Sequence, residues 1–411
     1  MADSQLRIAM LSAHSCPVGN LGARDTGGMN VYIRELAREL SQQGHLVDVY
    51  TRVHDPKDPQ IVNLGQQARL IHLRAGDDQE IHKLAMYSYL PEFACNVESF
   101  RKKNDLQYDL VFSHYWLSGL AGEYLQKWWN IPHLTMFHTL GAVKNTLTVG
   151  ENEPELRIEA ERGLAQNCHR IIAPTEKEKE KLIRHYGALP ERIGVVPCGV
   201  NLEQFKPISK ECARQYLGFG NDDKIILFVG RMDPLKGIDK LIKAVSYLQD
   251  IQGLRLVVIG GGEHSQREIE QLQKLSWDLQ IQDSVTFQGL IKHEQLPYFY
   301  SAANACVLPS YYESFGMVAL ESLACGTPVV ATNIGSLKSV IRQGETGYVI
   351  TDNAPHHLAD KIALLLSRPN TDTESALSIR ASVNRFSWSN IAEAIIRECQ
   401  LVLSNYLAPV S

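Results

Sequence analysis

What the chain lacks narrows its class before any motif is weighed. No apolar run in its 411 residues approaches the roughly 20 needed to cross a bilayer, and Met1–Arg7 has no signal-peptide apolar core. A cytoplasmic protein with no membrane insertion is expected. A large excess of either charge is also missing: 41 Lys and Arg against 46 Asp and Glu leave a net charge of −5. That balance argues against a general nucleic-acid binder, while leaving room for local basic clusters that hold a few phosphates. The eight cysteines (Cys16, Cys95, Cys168, Cys198, Cys212, Cys306, Cys325, Cys399) never fall in C-x-x-C spacing. No zinc site is expected, and reduced thiols in the core are the default. No other ligand cluster requires a metal.

What is present is an ordinary globular composition, 44% hydrophobic and 21% charged, on a chain long enough for two cores. Short apolar runs read as strands at 7–11, 45–51, 68–73, 108–113, 133–137, 170–173 and 193–196. They alternate with helix-period segments, among them a helix opened by D-T-G-G-M-N (Asp25–Asn30) with Met29, Ile33, Leu36 and Leu40 on one face. Glu155–Asn167 reads as a charged helix. The helix capped by Thr175 is so crowded with Glu and Lys that a solvated face is its simplest reading. Pro197–Pro207, irregular and marked by Pro and Gly, reads as a linker. A second series follows, with strands at 224–229, 254–259, 284–287, 305–308, 328–331 and 347–350, and helices at 357–366 and 388–403. Alternation in both halves predicts an α/β protein of two doubly wound parallel sheets with a ligand in the cleft between them.

The chemistry concentrates at Ser310–Thr327, S-Y-Y-E-S-F-G-M-V-A-L-E-S-L-A-C-G-T. A strand runs through Pro309 into a helix whose free N–H groups near Phe315 and Gly316 form a positive end suited to a phosphate. Glu313 precedes that end and Glu321 follows two turns on, and a carboxylate can accept two hydrogen bonds from a vicinal diol. Arg231 and Lys236, in G-R-M-D-P-L-K-G directly after a strand, suit a diphosphate whose charge grows as it leaves. Each residue has a bland reading, as a surface ion pair or a turn residue. Their combination points to a nucleotide-sugar site. In the first half, Gly27-Gly28 opens a helix where a backbone can approach a ligand. S-H-Y-W-L-S-G (Ser113–Gly119) and H-T-L-G-A-V-K-N (His138–Asn145) end strands at the crevice of an open sheet. His138 alone is as readily structural as functional.

G-R-M-D-P-L-K-G together with E-S-F-G-M-V-A-L-E resembles the retaining nucleotide-sugar glycosyltransferases of family four, and the resemblance spans nearly the whole chain. It implies the GT-B fold, two Rossmann-like domains facing across a cleft. Residues 1–203 would form the acceptor domain and 204–388 the donor domain, with a helix at about 389–411 packing back on the first. It implies a UDP-sugar as co-substrate and no tightly bound cofactor. Gly28 would approach the donor diphosphate from one side, and Arg231, Lys236 and the stretch Ser314, Phe315 and Gly316 from the other. Glu313 would hold sugar hydroxyls, Glu321 the ribose, and His138 would lie at the reaction centre. Within the family, the chain resembles the sucrose-phosphate synthases and the inositol-phosphate N-acetylglucosaminyltransferases of mycothiol synthesis. Both imply a phosphorylated acceptor held by Lys83, Tyr115, Thr139 and Arg157, with Asn30 against its ring. R-I-E-A-E-R (Arg157–Arg162) is similar to the synthases, and glucosyl transfer from UDP-glucose to fructose 6-phosphate is the expectation. The alternative is N-acetylglucosaminyl transfer from UDP-N-acetylglucosamine to inositol phosphate, which Met29 favours, since it replaces a synthase glutamine.

Gly260-Gly261-Gly262 after a strand suggests a rival of another class, an NAD-dependent oxidoreductase. Ser265 holds the place of the third glycine of G-x-G-x-x-G, and the motif lies deep in the second half rather than at a first strand-to-helix turn. A sugar-phosphate binder without catalysis is the remaining alternative.

Overall fold

The computed structural model describes residues 5–19, 26–77, 81–262, 265–368 and 373–407. Asp25 and part of the loop before it lie outside these. The first sheet is built from β1 (Arg7–Ser12), β2 (Leu46–Arg52), β3 (Ile61–Asn63), β4 (Ala68–Leu73), β5 (Leu110–His114), β6 (His133–Met136), β7 (Arg170–Ala173) and β8 (Ile193–Val195), in the order β3-β4-β2-β1-β5-β6-β7-β8. All pairings are parallel except that of β3 with β4. The second sheet holds β9 (Lys224–Val229), β10 (Leu254–Ile259), β11 (Val285–Gly289), β12 (Ala305–Leu308), β13 (Val329–Thr332) and β14 (Gly347–Ile350), ordered β11-β10-β9-β12-β13-β14 and wholly parallel. The central strands are apolar along their length, as Ile8 to Leu11 and Ile226 to Leu227 show, because helices cover both faces.

The strand order fixes where a ligand can lie. In each sheet the winding reverses once, between β1 and β5 and between β9 and β12, and the loops leaving the two strands there part to open a crevice. Those loops carry the diglycine, Tyr115, Arg231 to Lys236, and Glu313. This is the two-domain GT-B architecture.

Three expectations are corrected. The antiparallel edge strand β3 and the helix Met86–Lys103 were not foreseen; Pro91 sits inside that helix and disguises it. The Glu176–Tyr186 helix is not merely a solvated face, because Glu178, Leu182 and Tyr186, spaced four apart, are buried. The thiols are not all in the core, since Cys95 and Cys212 are exposed and Cys16 is half-buried. Among the described residues no helix is long and apolar enough to cross a membrane. The helix Trp388–Leu407 leaves the second half and lies against the Gly28–Gln42 helix of the first. Gln43 donates to the Ser389 carbonyl, and Arg170 pairs with Glu398 at 2.6 Å.

Candidate active site

One cavity of about 370 Å³ lies between the two sheet edges. Every residue expected at the site lines it: Gly28, Asn30, Lys83, Tyr115, His138, Thr139 and Arg157 on the first wall, and Arg231, Lys236, Glu313, Ser314, Phe315, Gly316 and Glu321 on the second. The walls stand close. A Cβ on Gly28 would meet Met317 Sδ at 3.6 Å, ordinary van der Waals contact, and one on Gly27 would lie 4.0 Å from the Arg231 side chain.

On the second wall, Lys236 Nζ stands 2.5 Å from Glu313 Oε1, which also accepts from Ser310 Oγ at 3.0 Å. The two loops are stitched by a hydrogen bond from Tyr311 N–H to the Leu235 carbonyl, and Asn353 donates to the Pro309 carbonyl. Arg231 is half-exposed and only loosely paired with Asp233, at 3.5 Å. The helix Met317–Ala324 starts from Gly316, at φ 103°, and the residues Glu313 to Gly316 just before it line the cavity. Glu321 is buried. It accepts from Tyr300 OH at 2.7 Å and from His293 Nε2 at 3.1 Å. Arg34 and Gln204 both approach His293 Nδ1, at 3.4 and 3.1 Å, so that nitrogen is the acceptor and the Nε2–H tautomer faces Glu321. The bland reading of Glu321, a pair with Lys or Arg, is therefore wrong about its partners.

The first wall is built around Arg157, only 1% exposed. Its guanidinium donates to Glu161 Oε1 at 2.7 Å and to both the carbonyl and the hydroxyl of Thr139 at 2.9 Å, and lies 2.9 Å from Glu153. The Tyr115 ring covers it at 4.8 Å, and His14 packs on that ring at 4.4 Å. Burial alone would raise the Glu153 pKa, but Arg157 and Lys144 hold it down at about 2. Burial pushes Glu161 above the usual carboxylate range, opposed by Arg157. Burial also raises Tyr115 to about 12. His138 adopts φ 60° and meets His114 across 2.9 Å between ring nitrogens, and burial drops its pKa to about 3, so the imidazole is neutral.

Two of the expected site residues have side chains engaged by the protein itself. Asn30, expected against an acceptor ring, is fully buried and commits its side chain to the protein. Its oxygen accepts from Gly27 N–H at 2.9 Å, and its nitrogen donates to Ser15 Oγ and the Cys16 carbonyl at 2.7 Å. It ties the loop after β1 to the helix start. The Ser314 hydroxyl donates to Glu178 Oε2 at 2.8 Å. Sequence reasoning did not single out Lys144, His14, His293 and Tyr312, which also line the cavity. Lys144 and Tyr312 stood inside quoted motifs, but the two histidines carry no local signal.

Packing by itself demands the first of the three glycines, Gly260. A Cβ on Gly260 would lie 1.8 Å from the Gly230 carbonyl oxygen, and φ is 130° there, so the ends of β9 and β10 can meet only if this residue is glycine.

Residues 209–381 match the model of glycosyl transferases group 1, and residues 26–204 that of Glycosyltransferase Family 4. D-inositol 3-phosphate glycosyltransferase of Corynebacterium glutamicum is 36% identical over 94% of each chain. The enzyme of that name from Mycobacteroides abscessus is 37% identical, over 98% of this chain and 91% of its own. Among solved structures, sucrose-phosphate synthase from Thermosynechococcus elongatus superposes with a TM-score of 0.89 and 33% identity, over 98% of this chain and 100% of that one. Anabaena HepE in complex with UDP and glucose shares the fold at 18% identity and a TM-score of 0.75, over 96% of this chain and 100% of that one. The chain belongs to glycosyltransferase family four and is a retaining transferase of the GT-B fold.

Proposed function

We propose that the enzyme moves a hexosyl group from a UDP-sugar to a phosphorylated polyol, with an inositol phosphate as acceptor and UDP-N-acetylglucosamine as donor. One observation carries this reading: a single cleft has basic side chains on both walls, Arg231 and Lys236 facing Lys83, Lys144 and Arg157. Two cationic walls fit two phosphate-bearing substrates. Residues 1–203 serve the acceptor, 204–388 the donor, and 389–411 return to the first domain.

On the donor side, Gly28, Arg231, Lys236 and the amides of Phe315 and Gly316 surround the diphosphate. Lys236 turns from Glu313 towards it, which frees Glu313 for the sugar hydroxyls. Glu321, held by His293 and Tyr300, accepts from the ribose. Lys83, Tyr115, Thr139 and Arg157 hold the acceptor phosphate, and neutral His138 lies beside the anomeric carbon. No protein carboxylate is assigned as nucleophile. The departing diphosphate takes the acceptor proton on the face it leaves, through an oxocarbenium-like state. Catalysis rests on electrostatic stabilisation of the leaving group and on orientation. No metal enters this scheme.

Inositol phosphate is preferred because Met29 stands where the synthases have glutamine, and because the relatives named for it share 36–37% identity over nearly the whole chain. Sucrose 6-phosphate synthesis is the second reading, favoured by the similarity to the synthase structure at a TM-score of 0.89. UDP-glucose, ADP-glucose and UDP-N-acetylglucosamine are each offered with inositol phosphate and with fructose 6-phosphate, and products are read by mass spectrometry. Product with fructose 6-phosphate alone overturns the preference. Lys236→Ala and Glu313→Ala should each lower turnover by about 100-fold or more; unchanged rates in both would remove catalysis from this site.

A further inference from the structure

The Glu176–Tyr186 helix, read from the sequence as a charged surface, is where the second wall touches the first domain. Lys177 Nζ reaches Asn333 Oδ1 at 3.2 Å, Glu178 accepts from Ser314 Oγ at 2.8 Å, and Lys181 Nζ lies 5.4 Å from the centre of the Tyr312 ring. Tyr312 continues into the first domain, where its hydroxyl accepts from Leu140 N–H at 3.1 Å. Glu178 is 3% exposed, which is unusual for a carboxylate that has no ion pair at contact distance among the described residues. Its partner Ser314 stands between Glu313 and the amides of Phe315 and Gly316. Ser336 holds the other side of that loop by donating to the Phe315 carbonyl at 2.7 Å.

We propose that Glu178 is a positioning residue for the donor site. Through Ser314 it fixes Glu313 and the Phe315–Gly316 amides in place once the domains close, so that the acceptor domain completes the donor pocket. This rests on the reading of that loop as the nucleotide-sugar site. Glu178 touches no reacting atom.

The chemistry of the contact gives it a pH signature. Closing the cleft strips water from the carboxyl, and opening it restores that water. The titratable groups facing Glu178 are Lys181 on its own helix, Glu161 from the Glu155–Asn167 helix, Cys198 after β8, and Tyr312 from the donor loop. Burial dominates and raises its pKa to about 7 in the closed form. The Ser314 hydrogen bond and Lys181 oppose the rise, and Glu161 adds to it. In the open form a hydrated carboxyl titrates near its ordinary 4.5. Between these values closure takes up a proton, so rising pH disfavours it by up to about tenfold per unit; above 7 the effect levels off.

The test is UDP binding by calorimetry to the full chain, from about pH 5 to pH 8, for wild type, Glu178→Gln and Glu178→Ala. Glutamine keeps an acceptor for Ser314 but cannot ionise. It should bind UDP at every pH as wild type does at the acid end, and the wild-type affinity should fall away from it as pH rises. Alanine, which loses the Ser314 bond but also cannot ionise, should bind UDP about tenfold or more weakly than glutamine at every pH, and more weakly than wild type at the acid end. In turnover assays its effect should fall on the donor KM, leaving the acceptor KM unmoved. Ser314→Ala, which removes the same bond from the other side, should repeat the loss and covers the case in which Glu178→Ala does not fold. Parallel pH profiles for wild type and Glu178→Gln, or wild-type UDP affinity in both alanine variants at the acid end, overturn the inference. Failure of wild type to bind either UDP or ADP would instead overturn the reading of the loop, and this inference with it.

Discussion

Replacing Arg157 by Met keeps most of the side-chain volume and removes the charge. Glu153 still has Lys144 beside it, but Glu161, fully buried, keeps among the described residues Gly141 N–H and the Tyr186 hydroxyl. Breaking a buried pair from one side costs about 3–5 kcal/mol, because a charge is left without its partner. Glu161 has one escape, which is to take a proton. Its ordinary pKa is 4.5. Staying protonated in the fold while the unfolded chain ionises therefore costs about 1.4 kcal/mol for each pH unit above that value. The cap is about 5 kcal/mol near pH 8 and only about 1.4 near pH 5.5. The sign follows from proton counting: the folded variant binds the extra proton, so its stability falls as pH rises. At roughly 2–4 °C per kcal/mol for a domain of this size, the melting midpoint should drop by about 10–20 °C near pH 8 and by only ~3–6 °C near pH 5.5. Differential scanning calorimetry of wild type and variant at the two pH values measures this. A loss below about 1 kcal/mol near pH 8, or an equal loss at both, would refute the buried-pair reasoning.

Two further outcomes follow from the same structure. Gly260→Ala places a Cβ 1.8 Å from the Gly230 oxygen at φ 130°, and should cost about 3 kcal/mol or more in urea unfolding; a change within ~0.5 kcal/mol would mean that the ends of β9 and β10 are not packed as described. His14, His133 and His138 are held near pKa 3 by burial, whereas the unfolded chain protonates them at 6.5. Stability should therefore fall as pH drops from 6.5 towards 3, by about 1.4 kcal/mol per unit for each histidine; His133→Gln should remove one proton from that slope, and an unchanged slope would show that His133 charges in the fold.

How much of this could be read beforehand depends on how local its cause is. Strand and helix positions, the reversal-point loops and the pairing of Glu313 with Glu321 follow from side-chain period, glycine placement and helix-end chemistry, all written within a few tens of residues. The fourteen expected site residues accordingly meet in one cavity. Asn30 escaped because an asparagine in the first turn of a helix can serve its own cap or a ligand, and only the position of the loop carrying Ser15 and Cys16 chooses between them. The Glu178 to Ser314 bond joins residues 136 apart, and the approach of Arg34 to His293 spans 259. No periodicity links such positions. Sequence alone determined a two-sheet transferase and the loops that line its cavity, because those features are local patterns repeated along the chain. Tertiary structure alone decided which charges are buried and what faces them: Arg157 between two carboxylates, and Glu178 against the Ser314 hydroxyl. Burial and partner distance exist only once the two domains have met.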